Sequence, residues 1–150
     1  MYKSILVGID LSPKSCKSLE VAVEFAHLFN SKITLLNVHE EFLNKDEMVM
    51  SRVSVEEIKK NNEEIALNTK RMFKDMLSKL DINDLSDIEI VQREGKASQE
   101  IIEYADKNNI DFIIVGSNGH SALEELFLGS TAKKIINTSK IPVLVVPLLD

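Results

Sequence analysis

Three glycines and a serine in the C-terminal part of the chain have a spacing that suits phosphate binding. Two residues separate Gly116 from Gly119, nine more precede Gly129, and Ser130 follows at once. Glycine allows the backbone to approach a ligand closely. The N-terminus of a helix presents unpaired N–H groups and the positive end of its dipole. Because Gly129 and Ser130 precede a helical pattern, the segment predicts an anion site to which the Ser130 hydroxyl contributes.

Each of these residues alone also has a simpler explanation. A glycine after a strand is often only part of a turn, and Ser130 is a suitable N-cap. Lys133 and Lys134 would favour a nearby anion in the first turn of the helix, but they are more simply solvated surface lysines. The combination of three glycines and a serine in a strand–loop–helix context is what favours the functional interpretation.

The elements around this segment are predicted by apolar runs that alternate with helical patterns, which is typical of parallel strands joined by crossover helices. We predict strands at 5–9, 33–38, 88–91, 111–115 and 141–146. Helices are predicted at 13–29, from 55 to about 80, at 97–107 and at 130–139. The whole chain, residues 1–150, is expected to form one domain.

Local signals mark where the helices begin and end. Ser12 is the predicted N-cap of the first helix with Pro13 at its first position, and Asn30 ends it. Ser54 opens a capping box for the second helix, and Gly95 marks a turn. The predicted inward-facing side chains are Leu19, Ala22, Val23, Ala26 and Phe29 in the first helix, Ile58, Ile65, Met72, Phe73, Met76 and Leu80 in the second, and Ile101, Ile102 and Ala105 in the third.

Right-handed crossovers would place helices on both faces of an open, doubly wound α/β sheet. Ligands of such sheets bind beyond the carboxyl ends of the strands, where the strand order reverses. Asp10 and Gly116 each lie just after a predicted strand, so both are candidates for that position.

Composition excludes several classes of function. The formal net charge is −6 and the pI is about 5.1, so a basic surface for nucleic acid is not expected. No apolar run approaches the roughly 20 residues of a membrane span. The N-terminus carries no secretory pattern, and the single cysteine, Cys16, excludes an internal disulfide framework. These features favour the cytoplasm.

Other catalytic motifs are missing from the sequence. A Walker A loop is absent, and no G-x-G-x-x-G follows the first strand. His27, His39 and His120 are too scattered to form a metal motif. No Ser-His-acid arrangement or general base is recognisable, so any hydrolysis is expected to be slow.

The glycine pattern resembles the nucleotide-binding signature of the universal stress protein family, G-2x-G-9x-G-(S/T). The resemblance covers essentially the whole chain: the first strand with Asp10 and Ser12, and the last strand between Ile141 and Val146, are also similar to the family's. It implies an adenine nucleotide alpha-hydrolase-like fold with five parallel strands in the order 3-2-1-4-5.

The resemblance also implies a set of nucleotide contacts. Asp10 would lie beside the adenosine and ribose, and the Val38 backbone beside the adenine edge. Asn118 departs from the family, in which many members have Arg or His, so phosphate attraction is expected to be weaker. The implied contact residues are Gly8, Ile9, Asp10, Val38, Gly116, Gly119, Gly129, Ser130 and Thr131.

The resulting functional hypothesis is a regulatory module of the stress response that binds ATP, or AMP or ADP, and changes conformation with nucleotide. Two alternatives stay open: a slow ATPase in which Asp10 and the phosphates hold Mg²⁺, and an interaction protein of the same fold that binds no nucleotide. The resemblance further implies a homodimer formed through the final strand, whose apolar edge invites pairing.

Overall fold

A computed structural model describes residues 1–10, 12–40, 55–80, 88–117 and 128–148. The predictions for Ser54, Asn118, Gly119 and His120 lie outside these residues, as do those for the side chains of Ile58 and Ile65. The elements, in chain order, are β1 (Ser4–Gly8), a short 3-10 turn (Pro13–Ser15), α1 (Cys16–Phe29), β2 (Lys32–His39), α2 (Val55–Lys79), β3 (Ile88–Glu94), α3 (Ala97–Lys107), β4 (Phe112–Gly116), α4 (Ser130–Thr138) and β5 (Val143–Val146).

All five strands are parallel, and their order is β3-β2-β1-β4-β5. Leu6 at the centre of β1 is in register with Thr34 of β2 and with Ile113 of β4. The order therefore reverses between β1 and β4, as the sequence analysis expected. β3 lies at one edge of the sheet, as the order 3-2-1-4-5 implies.

The apolar core lies on both faces of this sheet, which explains why the strands are continuous apolar runs. On one face, Leu19 of α1 and Phe73 of α2 pack with Val7 of β1. On the other, Ile101 of α3 and Ile135 of α4 pack in one cluster. The doubly wound α/β architecture is thus confirmed.

The start of α1 differs from the prediction. Ser12 precedes the 3-10 turn with Pro13 at its first position, and the α-helix itself begins only at Cys16. Ser12 makes no side-chain capping bond, because its hydroxyl donates to Asp10 Oδ1 at 2.7 Å. The end of α1 is as predicted, with Asn30 as a left-handed C-cap.

Two other predictions need correction. Met72, predicted to face inward, is 46% exposed, whereas Leu77, which was not predicted, is buried and 2% exposed. The last strand begins at Val143 and not at Ile141, because Ser139 Oγ binds both the N–H and the C=O of Ile141 in a tight turn. In the described part of the chain, no helix is long and apolar enough to cross a membrane.

Candidate functional site

A cavity of about 280 Å³ opens at the carboxyl ends of β1 and β4, where the strand order reverses. This volume is close to the lower end of the range for small-molecule pockets, roughly 300–1,000 Å³. Gly119 lies outside the described residues. The structure brings the other eight predicted site residues to this one cavity: Gly8, Ile9, Asp10, Val38, Gly116, Gly129, Ser130 and Thr131. Their roles in binding remain predictions.

The end of β1 is fixed by hydrogen bonds to β2. The Ile9 N–H donates to the Leu36 carbonyl at 3.0 Å, and the Asn37 side-chain amide donates to the Ile9 carbonyl at 2.9 Å. Asp10 then accepts two bonds at Oδ1, from the N–H of Ser12 at 2.9 Å and from its hydroxyl at 2.7 Å. An aspartate that binds the backbone two residues later forms an Asx turn. This turn holds the Asp10 carboxylate at the cavity.

The end of β4 is joined to the start of α4 through Ser117. The Gly129 N–H donates to the Ser117 carbonyl at 2.7 Å. The Ser117 N–H donates to Val146 of β5 at 2.8 Å, and its hydroxyl accepts the Leu148 N–H at 3.0 Å. These bonds hold Gly116 and Gly129, the two described glycines of the pattern, close to each other at the cavity.

The structure gives Gly116 a packing role. A Cβ at this position would lie 2.2 Å from Leu148 Cδ1 and 2.9 Å from its Cγ, far inside contact distance. The glycine pattern predicts a close approach of ligand to the Gly116 backbone. The close approach that the structure shows is that of Leu148, which also lines the cavity.

The N-terminus of α4 forms the polar wall. Gly129 is its N-cap, with φ −62° and ψ 157°, and the Lys133 N–H makes the bond to the Gly129 carbonyl at 3.0 Å. The N–H groups of a helix's first turn lack partners within the helix. The first turn of α4 contains no acidic residue, so no carboxylate of that turn offsets the positive end of the dipole. Ser130 and Thr131 therefore stand where an anion is favoured.

Another part of the lining is apolar. Leu36, Val38 and Ile101 belong to the core cluster beneath α3 and α4, and they line the cavity together with Ala97 and Val115. Asp10 is the one charged residue among the described residues of the lining. The cavity thus combines an apolar slot with a helix N-terminus, and a carboxylate lies at its edge.

Nine further residues of the described chain line the cavity that were not predicted from the sequence. Ser15 and Ser18 are three residues apart, a spacing that places two side chains on the same face of a helix. Because Leu19 follows directly and is buried, this spacing could have indicated that both serines face the sheet. Distant contacts such as Leu148 with Gly116 carry no local signal. The missed residues are Ser15, Ser18, Leu36, Ala97, Ile101, Val115, Ser117, Ala132 and Leu148.

Two of the three histidines, His27 and His39, lie in the described part of the chain. Within the described ranges, no group of three His, Cys, Asp or Glu residues could hold a metal ion. His39 lies 3.0 Å from the Gln92 side chain, between ring and amide nitrogens, and His27 is exposed on α1.

Comparisons with known proteins agree with this architecture. The model of the Universal stress protein family matches residues 1–147. Universal stress protein MJ0577 of Methanocaldococcus jannaschii is 32% identical, over 97% of this chain and 95% of that protein. Universal stress protein YxiE of Bacillus subtilis is 29% identical, over 97% of this chain and 99% of that protein.

Solved structures show the same fold. The MJ0577 structure superposes with a TM-score of 0.76 at 28% identity, covering 97% of this chain and 96% of that one. A universal stress protein solved in complex with cAMP superposes with a TM-score of 0.70 at 22% identity, covering 99% of this chain and 98% of that one.

Proposed function

Since the chain belongs to the universal stress protein family, we propose that it is a regulatory module of the stress response that binds ATP in the cavity at the ends of β1 and β4. The single observation that carries the proposal is the convergence of Asp10, Gly116 and the Gly129–Ser130 turn on this cavity. These residues come from three separate parts of the sequence. Their meeting point is the place at which open parallel sheets bind ligands.

The apolar wall suits a purine. Leu36, Val38 and Ile101 present aliphatic surface that is already part of the core. Small-molecule sites are mostly apolar, with a few polar groups that fix the orientation of the ligand. Adenine, whose flat faces are uncharged, fits this wall better than a charged group does.

The wall formed by α4 suits the phosphates. The N–H groups of its first turn and the hydroxyls of Ser130 and Thr131 are hydrogen-bond donors for phosphate oxygens. Asp10 is the one carboxylate of the described lining. It would either lie apart from the phosphates or share a Mg²⁺ ion with them. Mg²⁺ commonly uses one or two carboxylates together with substrate phosphates, so the donor set fits a Mg²⁺ ion that enters with ATP.

A binding role is favoured over rapid hydrolysis. The Asp10 carboxylate already accepts two hydrogen bonds from Ser12 at Oδ1. No histidine lies among the described residues of the lining, so none of them offers an imidazole base for water. We therefore assign nucleotide occupancy the role of shifting the conformations that a partner meets. The adenine nucleotide cAMP in the related complex supports the choice of ligand class.

The homodimer is part of the proposal. β5 pairs with β4 on one side only and forms an edge of the sheet. Val143, Leu144 and Val145 are half-buried in the single chain. An apolar edge of this kind is a template for pairing with a second copy. Separately, the single cysteine supports a cytoplasmic location, since it excludes an internal disulfide framework.

Calorimetric titration with ATP, with and without Mg²⁺, tests the proposed function. Gly129→Val is the informative variant, because the φ and ψ of Gly129 are allowed for valine while the side chain enters the cavity wall. We expect its Kd for ATP to rise at least about tenfold, with a change in the free energy of unfolding below about 1 kcal/mol. Asn137→Val, at an exposed position in the same helix, is the matched control and should leave the Kd unchanged.

Three results would contradict the proposal in different ways. Absence of ATP binding by the unmodified protein would favour the interaction protein without nucleotide. An unchanged Kd in Gly129→Val would show that the phosphates lie elsewhere. Continuous release of ADP over many turnovers would favour the ATPase.

A further inference from the structure

Ser117 joins the candidate cavity to the edge strand β5. It follows directly after β4, whose last residue, Gly116, is in register with Val146 of β5. The Ser117 N–H donates to the Val146 carbonyl at 2.8 Å, and the Ser117 hydroxyl accepts the Leu148 N–H at 3.0 Å. One residue therefore holds the end of β5 through both its main chain and its side chain.

The same residue holds the start of α4. The Ser117 carbonyl accepts the N–H of Gly129, the N-cap of α4, at 2.7 Å. Ser117, Gly129 and Leu148 all line the cavity. Leu148 is 3% exposed and packs against Gly116. The end of β5, one wall of the cavity and the anion-favouring N-terminus of α4 thus meet at Ser117.

β5 is the element of this group that a second copy would order. In the single chain β5 pairs with β4 only, and Val143, Leu144 and Val145 are half-buried. A strand paired on one side only has fewer partners than the central strands and opens more readily. In the proposed homodimer, pairing at the free edge would hold β5 on both sides, and the bonds to Ser117 would be held with it.

We infer that Ser117 is a positioning residue that couples nucleotide binding in the cavity to the pairing of two copies through β5. The inference rests on the proposed function, of which the homodimer is part. Pairing orders β5, Ser117 and the Gly129 N-cap in advance, so the nucleotide meets residues whose ordering no longer costs conformational entropy. The nucleotide orders the same residues for pairing, because coupling between two binding events is reciprocal.

Sedimentation velocity of a dilution series, with and without saturating ATP, measures this coupling in the unmodified protein. We expect each site to bind ATP roughly fivefold more tightly in the dimer than in the monomer, the lower end of typical couplings between sites. Since each dimer would hold two nucleotides, saturating ATP should lower the Kd of the dimer by the square of that factor, roughly 25-fold. ATP titrations at protein concentrations well below and well above the dimer Kd check the factor for each site.

Ser117→Ala tests the role of the residue itself. It removes the acceptor of the Leu148 N–H and keeps the main-chain bonds to Val146 and Gly129. We expect the tightening of the dimer by ATP to fall below about fivefold, and Ser117→Thr, which keeps a hydroxyl, to restore it. A purely structural loss would weaken the dimer by the same factor with and without ATP and would leave this ratio as it is.

Ser139→Ala is the matched control. The Ser139 hydroxyl also accepts a backbone N–H, that of Ile141 at 3.1 Å, but it precedes β5 and so lies at the other end of the strand from Ser117. Ser139 is not among the described residues that line the cavity. This variant should keep the same ratio of the two dimer Kd values as the unmodified protein.

The outcomes separate this inference from the function on which it rests. If the unmodified protein fails to bind ATP, the proposed function is wrong and the inference falls with it. If it binds ATP but stays monomeric, or if ATP leaves the dimer Kd unchanged, nucleotide binding stands and the coupling is overturned. Full tightening in Ser117→Ala would overturn the assignment of the coupling to Ser117.

Discussion

The absence of a side chain at Gly116 has two possible reasons. Its place in the glycine pattern predicts a close approach of ligand, while the structure shows Leu148 packed against its Cα. Leu148 is itself buried and lines the cavity, and its N–H is bound by the Ser117 hydroxyl. The absence of a side chain at Gly116 is therefore what allows the end of the chain to close this wall.

Gly116→Ala should destabilise the protein by about 1–3 kcal/mol, the usual cost of overpacking. The added Cβ would lie 2.2 Å from Leu148 Cδ1, so Leu148 must move. Urea unfolding of Gly116→Ala, Leu148→Ala and the double variant measures the coupling between the two positions.

In the double variant, truncation of Leu148 removes the clash. The loss of stability should therefore be smaller than the sum of the two single losses. Strict additivity would show that Leu148 does not occupy the space beside Gly116.

At the scale of elements, the ends of the helices show what local sequence encodes. Asn30 ends α1 in the left-handed conformation, with φ 53° and ψ 55°, as a polar residue after an apolar stripe suggests. The start of α1 was misplaced because Ser12 has two possible partners, the helix and Asp10. The hydroxyl binds Asp10. Which way this hydroxyl turns is not visible in the sequence.

Asn30→Gly should retain or raise the free energy of unfolding, because glycine adopts the left-handed conformation without a steric penalty. Asn30→Ala should lower it by about 1 kcal/mol, since alanine lacks the short polar side chain whose local hydrogen bonds make the left-handed conformation accessible to asparagine. Thermal unfolding of both variants gives the comparison. Equal melting temperatures for Gly and Ala would contradict the assigned C-cap.

The residues of the candidate site that lie at the ends of strands could be predicted from the sequence. Asp10, Gly116 and Gly129 were recognised from their places at the ends of apolar runs and from the glycine spacing. Ser18 and Leu148 were not, because their contribution depends on how α1 and the end of the chain pack over the sheet. Met72 was misjudged for a related reason: helical periodicity gives the approximate direction of the buried stripe, but not its borders, and the stripe includes Leu77 and leaves out Met72.

At the scale of the whole molecule, the free edge of β5 determines how two copies would meet. The carbonyls of Pro142 and Val146 accept bonds from Ile113 and Ser117 on the β4 side. Because successive strand residues alternate in direction, the N–H groups of Val143 and Val145 point away from β4. These groups are the ones that a partner copy would bind.

Val145→Pro should therefore convert the predicted dimer to a monomer while β5 stays paired with β4. Proline is tolerated at an edge where its missing N–H faces outward. Val145→Thr keeps the N–H and serves as control. Sedimentation velocity at micromolar concentration measures both, and an unmodified protein that sediments as a monomer would refute the dimer.

The account as a whole depends on one claim, that the phosphates of an adenine nucleotide are bound by the N-terminus of α4. Amide NMR spectra recorded during an ATP titration test it most directly. We predict saturable shifts, at one nucleotide per chain, that are largest for Gly129, Ser130 and Thr131. Saturable shifts confined to residues away from the cavity, or none at millimolar ATP, would contradict the claim.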